Sequence, residues 1–170
     1  ICSKEKWFRY DLVMKKSNSV GWLNAKRQPL RNHELIYVFY KKTGTYNPQK
    51  TPGKPYSVLR DAGEPRTTNY GMAVRSSTDN KSGDRHPLSI LEFSKKTNHK
   101  SVHPTEKPID ISEWLIKSYS NEGDVVLDYT MGSGTTGVAA ANLNRNFIGI
   151  EKEKEYYDVA NDRINNIAKD

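Results

Sequence analysis

Hydrophobic positions in this chain fall in short runs separated by long polar stretches, and the spacing within each run predicts an element. Residues 7–16 (Trp7, Phe8, Tyr10, Leu12, Val13, Met14) and 34–40 (Leu35, Ile36, Tyr37, Val38, Phe39, Tyr40) are rich in aromatic and β-branched types and predict strands. Both runs are dense rather than cleanly alternating, the pattern of strands covered on both faces. Residues 43–101 carry Pro48, Pro52, Pro55, Pro65 and Pro87, several glycines and few aliphatics. They predict a loop-rich insertion with one short strand at 89–93. A stretch that long without regular structure is usually functional or disordered.

The pattern sharpens from His103 onward. Asp110 and Glu113 make a capping-box-like start, and Ile111, Trp114, Leu115 and Ile116 predict a helix over about 110–120. Val125, Val126 and Leu127 predict a buried strand closed by Asp128, followed by a glycine-rich turn, 131–137, and a helix over 138–143. Phe147, Ile148, Gly149 and Ile150 predict a second strand closed by Glu151. Tyr156, Val159, Ala160, Ile164 and Ile167 give a last helix over 153–168 its 3–4 spacing. Strand, helix and strand in that order predict a βαβ unit with parallel strands and a right-handed crossover.

Length and composition narrow the class. The 170 residues are about one domain's worth of chain. Hydrophobic residues make up 35%, below the ~45–50% usual for globular chains, and the mean hydropathy is -0.84. No run approaches the ~18 apolar residues of a membrane helix, which excludes an integral helical membrane protein. The single cysteine, Cys2, excludes an internal disulfide framework or a multi-cysteine zinc site and suits a reducing, cytoplasmic setting. The chain opens at Ile1 with no apolar leader behind it, as expected of a processed or excised piece.

Charge divides the chain. Residues 1–42 carry +7, residues 43–102 carry +5 and residues 103–170 carry −5, for a net +7. A basic front joined to an acidic back suggests nucleic acid held by one region and a second task in the other.

The acidic part carries the chemistry. Gly132, Gly134 and Gly137 match the G-x-G-x-x-G nucleotide fingerprint, and Glu151 lies near the spacing of a ribose-binding acid. Asp128 lies four residues before Gly132, where it would repel a pyrophosphate and favour a cationic group. No Lys or Arg lies between Lys117 and Arg145, and the turn lacks the Gly-Lys-Ser/Thr ending of a phosphate loop. S-adenosylmethionine (SAM), with a ribose, an ammonium and no phosphate, therefore fits better than NAD or ATP. Structural roles stand beside these: Gly132 and Gly134 as turn formers, Asp128 as an N-cap, Glu151 as an acid at a helix start.

With these residues in view, the chain resembles a known family. His103-Pro104-Thr105-Glu106-Lys107-Pro108, the segment Val126 to Gly137, and Phe147 to Glu151 are similar to the β group of SAM-dependent DNA amino-methyltransferases. Phe8 to Val13, Asn24-Ala25-Lys26, Pro29 to Glu34 and Val38-Phe39-Tyr40 extend the resemblance over nearly the whole chain. It implies a Rossmann-like α/β methyltransferase fold with a loop-rich target-recognition insertion. It implies methylation of the exocyclic amino group of adenine (N6) or cytosine (N4) in DNA, with adenine preferred, by enzymes of the restriction–modification kind. In such a reaction the amino nitrogen attacks the SAM methyl in line.

The resemblance also assigns regions and residues. Residues 1–42 would be strands of the catalytic half, 43–101 the target-recognition insertion, and 102–170 the SAM-binding unit. SAM would be held by His103, Thr105, Lys107, Pro108, Asp128, Tyr129, Thr130, Gly132, Ser133, Gly134, Thr135, Thr136, Glu151 and Lys152. Double-stranded DNA would meet Lys15, Lys16, Asn24, Lys26, Arg27, Arg31, Lys95, Lys96 and Lys100, with Tyr46, Tyr56 and Tyr70 as stacking candidates.

Two departures stand out. The family usually reads Asp-Pro-Phe where this chain has Asp128-Tyr129-Thr130. The family's catalytic Asp/Asn/Ser-Pro-Pro-Tyr/Phe signature is absent, since the chain has no Pro-Pro pair. No catalytic residue is therefore expected in this chain, and the signature is expected upstream of Ile1. Without its strand the sheet would carry a gap, filled by the upstream segment or by self-association. The rival expectation is a non-catalytic DNA-binding remnant with a vestigial SAM pocket.

Overall fold

The computed structural model describes residues 5–60, 76–93 and 106–167. Along the chain run β1 (Phe8–Val20), β2 (Arg31–Phe39), β3 (Tyr56–Arg60), β4 (Ser76–Asn80), β5 (Ile90–Glu92), α1 (Ile109–Tyr119), β6 (Val125–Asp128), α2 (Thr135–Asn142), β7 (Asn146–Gly149) and α3 (Lys154–Ile167). Two compact units result: Pro48–Pro87 forms one, and the chain on either side of it forms the other.

In the larger unit β1 pairs antiparallel with β2, Leu12 opposite Ile36 and Met14 opposite Glu34, and parallel with β5 on its other edge. Helix α1 lies on one face of this sheet. Leu12, Met14, Leu91 and Ile111 are buried together there, flanked by Ile36, Phe93, Trp114, Leu115 and Tyr119. Each such burial contributes ~1.5–3 kcal/mol. Helix α1 also supplies Ile116 to a second cluster with Ala139 and Ala140, flanked by Val126, Leu143 and Phe147. That cluster underlies β6 and β7, which pair in parallel with Asp128 opposite Gly149. The predicted βαβ unit is thus present.

The expectation of strands covered on both faces is not met among the described residues. Phe8, Leu35, Tyr37 and Phe39 are 37–45% exposed on the face of the β1–β2 hairpin away from α1. Three of these rings meet edge to face, Phe8–Phe39 at 5.6 Å and Phe8–Tyr37 at 6.1 Å. Val125, Leu127 and Ile148 on β6 and β7 are more than half exposed (60, 59 and 53%). Among the described residues, β6 has only β7 as a strand partner.

Element boundaries also depart from expectation. The first hairpin is longer than its apolar run, because Lys15↔His33 and Val20↔Arg31 continue the backbone pairing past the hydrophobic residues. The capping role expected of Asp110 falls to position 108: Pro108 precedes the first turn without a side-chain cap, and Asp110 lies inside it. There its charge still complements the helix dipole. Helix α2 starts at Thr135 rather than 138, because Gly134, at φ 80, already turns the backbone and its carbonyl accepts from Val138 N–H.

The smaller unit corrects the reading of 43–101 as loop with one strand. Strands β3 and β4 form an antiparallel ribbon from Tyr56↔Asn80 to Arg60↔Ser76, and Thr51 bridges Arg85. Asn80 Oδ1 accepts from Gly83 N–H at 2.8 Å, which fixes the turn leaving β4. The Arg85 guanidinium lies 4.7 Å from the Tyr56 ring centre and donates to the Lys54 carbonyl at 2.6 Å.

Candidate functional site

The glycine turn sits at the carboxyl ends of β6 and β7, where open α/β sheets bind ligands. Its backbone continues the parallel ladder: Ile150 N–H donates to the Asp128 carbonyl at 2.9 Å and Met131 N–H to the Ile150 carbonyl at 3.0 Å. Gly132 and Gly134 take φ of 52° and 80°, left-handed values that favour glycine.

Five consecutive residues of the turn are each held by a different neighbour. Gly132 N–H donates to Glu151 Oε2 at 2.9 Å. The Ser133 carbonyl and hydroxyl accept from Arg163 Nη1 at 2.7 and 2.9 Å. Gly134 packs against Ala160 so closely that a Cβ on it would lie 2.8 Å from the Ala160 Cβ. The Thr135 hydroxyl donates to Glu106 Oε1 at 3.2 Å, and the Thr136 hydroxyl to Asp128 Oδ2 at 2.7 Å. Gly137 faces Phe147 and Ile164, whose nearest atoms lie 2.6 and 2.3 Å from where a Cβ would be, so it serves close helix packing.

The two carboxylates named from sequence stand at the ends of adjacent strands. Asp128 Oδ1 accepts from Thr130 N–H at 3.0 Å, so both its oxygens are oriented by the turn. Glu151 takes three backbone N–H groups: Gly132 on Oε2, and Lys152 (2.8 Å) and Glu153 (2.9 Å) on Oε1. A carboxylate offers about four acceptor positions. Glu151 thus fills the structural role foreseen for it, an acid at a helix start, while also anchoring Gly132. Two half-buried carboxylates beside a positively oriented helix start are chemically suited to a ligand carrying both a cation and hydroxyls. Among the described residues no cluster of three or more His, Cys, Asp or Glu suits a metal ion.

The remaining expected residues scatter. Tyr129 is 73% exposed at the mouth of the turn. Lys152 is exposed and lies 3.8 Å from Glu153. Lys107 turns to β2, where its ammonium meets Glu34 at 2.5 Å, and Pro108 starts α1. Lys16 joins the same carboxylate at 3.1 Å. The Lys107 contact, opposed by partial burial, holds the Glu34 carboxyl below its ordinary range. Lys15 pairs with Glu92 at 2.8 Å. Asn24, Lys26, Arg27 and Arg31 are exposed at the far end of the β1–β2 hairpin. Lys95, Lys96, Lys100, His103, Thr105 and Tyr70 lie outside the described residues.

Two residues of the site were missed from sequence, Glu106 and Arg163. Their ion pair spans 2.8 Å, and the Glu106 side chain is only 4% exposed. Arg163 was detectable in principle: it lies three residues after Ala160 and next to Ile164, a charge on the apolar side of α3.

A family model described as DNA methylase matches residues 1–162. The Type II methyltransferase M1.MboII of Moraxella bovis is 32% identical over 96% of this chain, which spans 63% of that protein's length. The Type II methyltransferase M2.LlaDCHI of Lactococcus lactis subsp. cremoris is 52% identical over 63 residues, 37% of this chain and 23% of its own. Among solved structures, the M1.HpyAVI–SAM complex superimposes with a TM-score of 0.57 at 32% identity, over 93% of this chain and 62% of that one. The PvuII DNA methyltransferase (cytosine-N4-specific) reaches 0.60 at 15% identity, over 95% and 56%, a likeness of fold alone. The fold is accordingly the Rossmann-like α/β fold of DNA methyltransferases.

Proposed function

The chain belongs to the N6/N4 DNA methylase family, and from that premise we propose that it forms the SAM-holding and DNA-facing part of an enzyme that methylates an exocyclic amino group of DNA. The observation that carries the reading is the pair of carboxylates, Asp128 and Glu151, at the carboxyl ends of adjacent parallel strands around a pinned glycine turn. Asp128 would receive the ammonium of SAM, and Glu151 would meet the ribose hydroxyls by exchanging part of its backbone bonding. SAM supplies the transferable methyl group on a sulfonium centre. The chain's own contribution is to bind and orient it: a preset turn costs little reorganisation when the ligand arrives.

The exposed cations Lys26, Arg27 and Arg31 would meet DNA phosphates, with Pro48–Pro87 as the target-recognition unit. The Pro-Pro clamp for the target base, absent from these 170 residues, would come from a segment beyond them. The exposed apolar faces of the β1–β2 hairpin and of β6–β7 support such a covering segment.

Calorimetry with SAM tests the cofactor site: the chain binds SAM, and Asp128→Asn binds it at least tenfold more weakly. An unchanged affinity in Asp128→Asn would overturn the assignment. Transfer of labelled methyl groups by the full-length enzyme to duplexes methylatable only at adenine or only at cytosine separates the two amino groups, with adenine expected.

A further inference from the structure

The pins on the turn are unequal in kind. Asp128 ends β6 and Glu151 closely follows β7, whereas Ser133 is held from α3, an element that follows β7. Ser133 lies between two glycines in left-handed conformation, Gly132 and Gly134, and glycine is the residue type with the greatest backbone freedom. It is 3% exposed, and the partner of both its oxygens is one guanidinium nitrogen, Arg163 Nη1, at 2.7 and 2.9 Å. The other nitrogen, Nη2, meets Glu106 Oε1 at 2.8 Å, and the same oxygen accepts from Thr135. A carboxylate as buried as Glu106 is seldom left without a cation, and Arg163 is that cation.

We propose that Arg163 is a positioning residue for the cofactor turn, a fork that fixes Ser133 with one tine and Thr135, through Glu106, with the other. The inference rests on the reading that residues 132–136 hold SAM. The planar guanidinium suits this because its two nitrogens address two acceptors at a set separation. An ammonium is a point charge that satisfies one of the two. Holding both Ser133 and Thr135 from one rigid group keeps the carbonyl and amide directions of the turn constant before the ligand arrives. No group of Arg163 need touch the ligand.

The test separates positioning from plain stability. Arg163→Lys keeps the charge beside buried Glu106 and gives up the fork. Its thermal midpoint should stay close to that of the unaltered chain, while SAM affinity by calorimetry falls about tenfold, as for the loss of one hydrogen bond to a charged group. Hydrogen exchange of amides 132–136 should rise together in this variant without a matching rise in β6 or β7. Arg163→Gln with Glu106→Gln, which removes the charge pair as a unit, should show the same faster exchange of the turn. If the unaltered chain binds SAM and Arg163→Lys binds it equally tightly, the inference is overturned and the cofactor reading stands. If the unaltered chain has no affinity for SAM, both fall. Exchange in 132–136 that stays unchanged in both variants overturns the fork regardless of the ligand.

Discussion

Gly134 offers a measurement in which the packing cost of the turn can be separated from its backbone cost. Its φ is +80°, and Gly123 has nearly the same value, +81°. The surroundings differ. A Cβ on Gly123 meets nothing within 4 Å, whereas one on Gly134 lies 2.8 Å from Ala160 Cβ and 3.0 Å from Ala160 Cα. Forcing alanine into the left-handed region costs ~1–2 kcal/mol at either site. Overpacking adds ~1–3 kcal/mol where neighbours cannot move aside, and here the three nearest atoms all belong to Ala160 of α3. Gly123→Ala should therefore lose ~1–2 kcal/mol and Gly134→Ala ~2–5 kcal/mol.

Urea unfolding gives both numbers from midpoints at constant m-value. Ala160→Gly supplies the control, because it removes the Cβ at 2.8 Å and leaves the Cα. Alone it costs about 1 kcal/mol through helix propensity. Combined with Gly134→Ala it should return part of the packing cost, a coupling of roughly 0.5–3 kcal/mol in a double-mutant cycle. Equal losses for Gly123→Ala and Gly134→Ala, or a coupling indistinguishable from zero, would refute the claim that the second glycine of the turn exists for contact with α3.

Three further outcomes follow from single contacts. Thr136→Val removes the hydroxyl that donates to Asp128 at 2.7 Å and should lower stability by ~1.5–3 kcal/mol, while Thr136→Ser retains most of it; thermal melts of the pair decide this. Glu34 is held below the ordinary carboxylate range chiefly by Lys107, so its ionised form favours the folded state. That contribution is present above the ordinary carboxylate range and is lost as pH falls through the depressed value. Glu34→Gln should thus lower the melting temperature at pH 7, and the gap should close in acid. Tyr119 is pushed up from 10.0, first by burial and then by its hydroxyl contact with Tyr10 at 3.1 Å. The folded state keeps that proton while the unfolded chain loses it, so stability falls as pH rises above 10. Tyr119→Phe should flatten this alkaline decline in melts recorded between pH 9 and 11, taken as roughly one unit either side of the ordinary phenol value.

The part of the fold written in local patterns was legible. β6, α2 and β7 follow one another in the chain, and a run of Val125, Val126 and Leu127 before a glycine turn admits few other arrangements. The β3–β4 ribbon was not legible, because Ser76-Ser77-Thr78-Asp79-Asn80 contains no apolar residue. Its pairing depends on a partner strand about twenty residues earlier and on the turn that Asn80 closes. Coverage of the strands failed for a related reason. Density of aromatic residues in Phe8–Tyr10 and Leu35–Phe39 reports that both faces suit burial, but the described residues place α1 on one face only. Arg163 was missed because a charge on a helix reads as solvent-facing unless its register against Ala160 and Ile164 is followed.

The glycine fingerprint itself changes meaning once the contacts are known. Spacing alone matched the three glycines to a nucleotide-binding fingerprint. Gly134 and Gly137 are instead accounted for by Ala160, Phe147 and Ile164, which leaves Gly132 as the residue whose amide is both ligand-facing in the proposed reading and already bound to Glu151. The acids are in the same position: Asp128 orients Thr136 and Thr130, and Glu151 holds three amides. In the proposed reading the groups that hold the turn are also the groups offered to SAM, and a ligand hydroxyl on Glu151 would compete with a backbone N–H for the same oxygens. Order in the turn and occupancy of the site would then be thermodynamically linked, each altering the other by the same factor. The pins with no proposed ligand duty, Arg163 and the Ala160 contact, would then keep the turn in place while Glu151 exchanges partners.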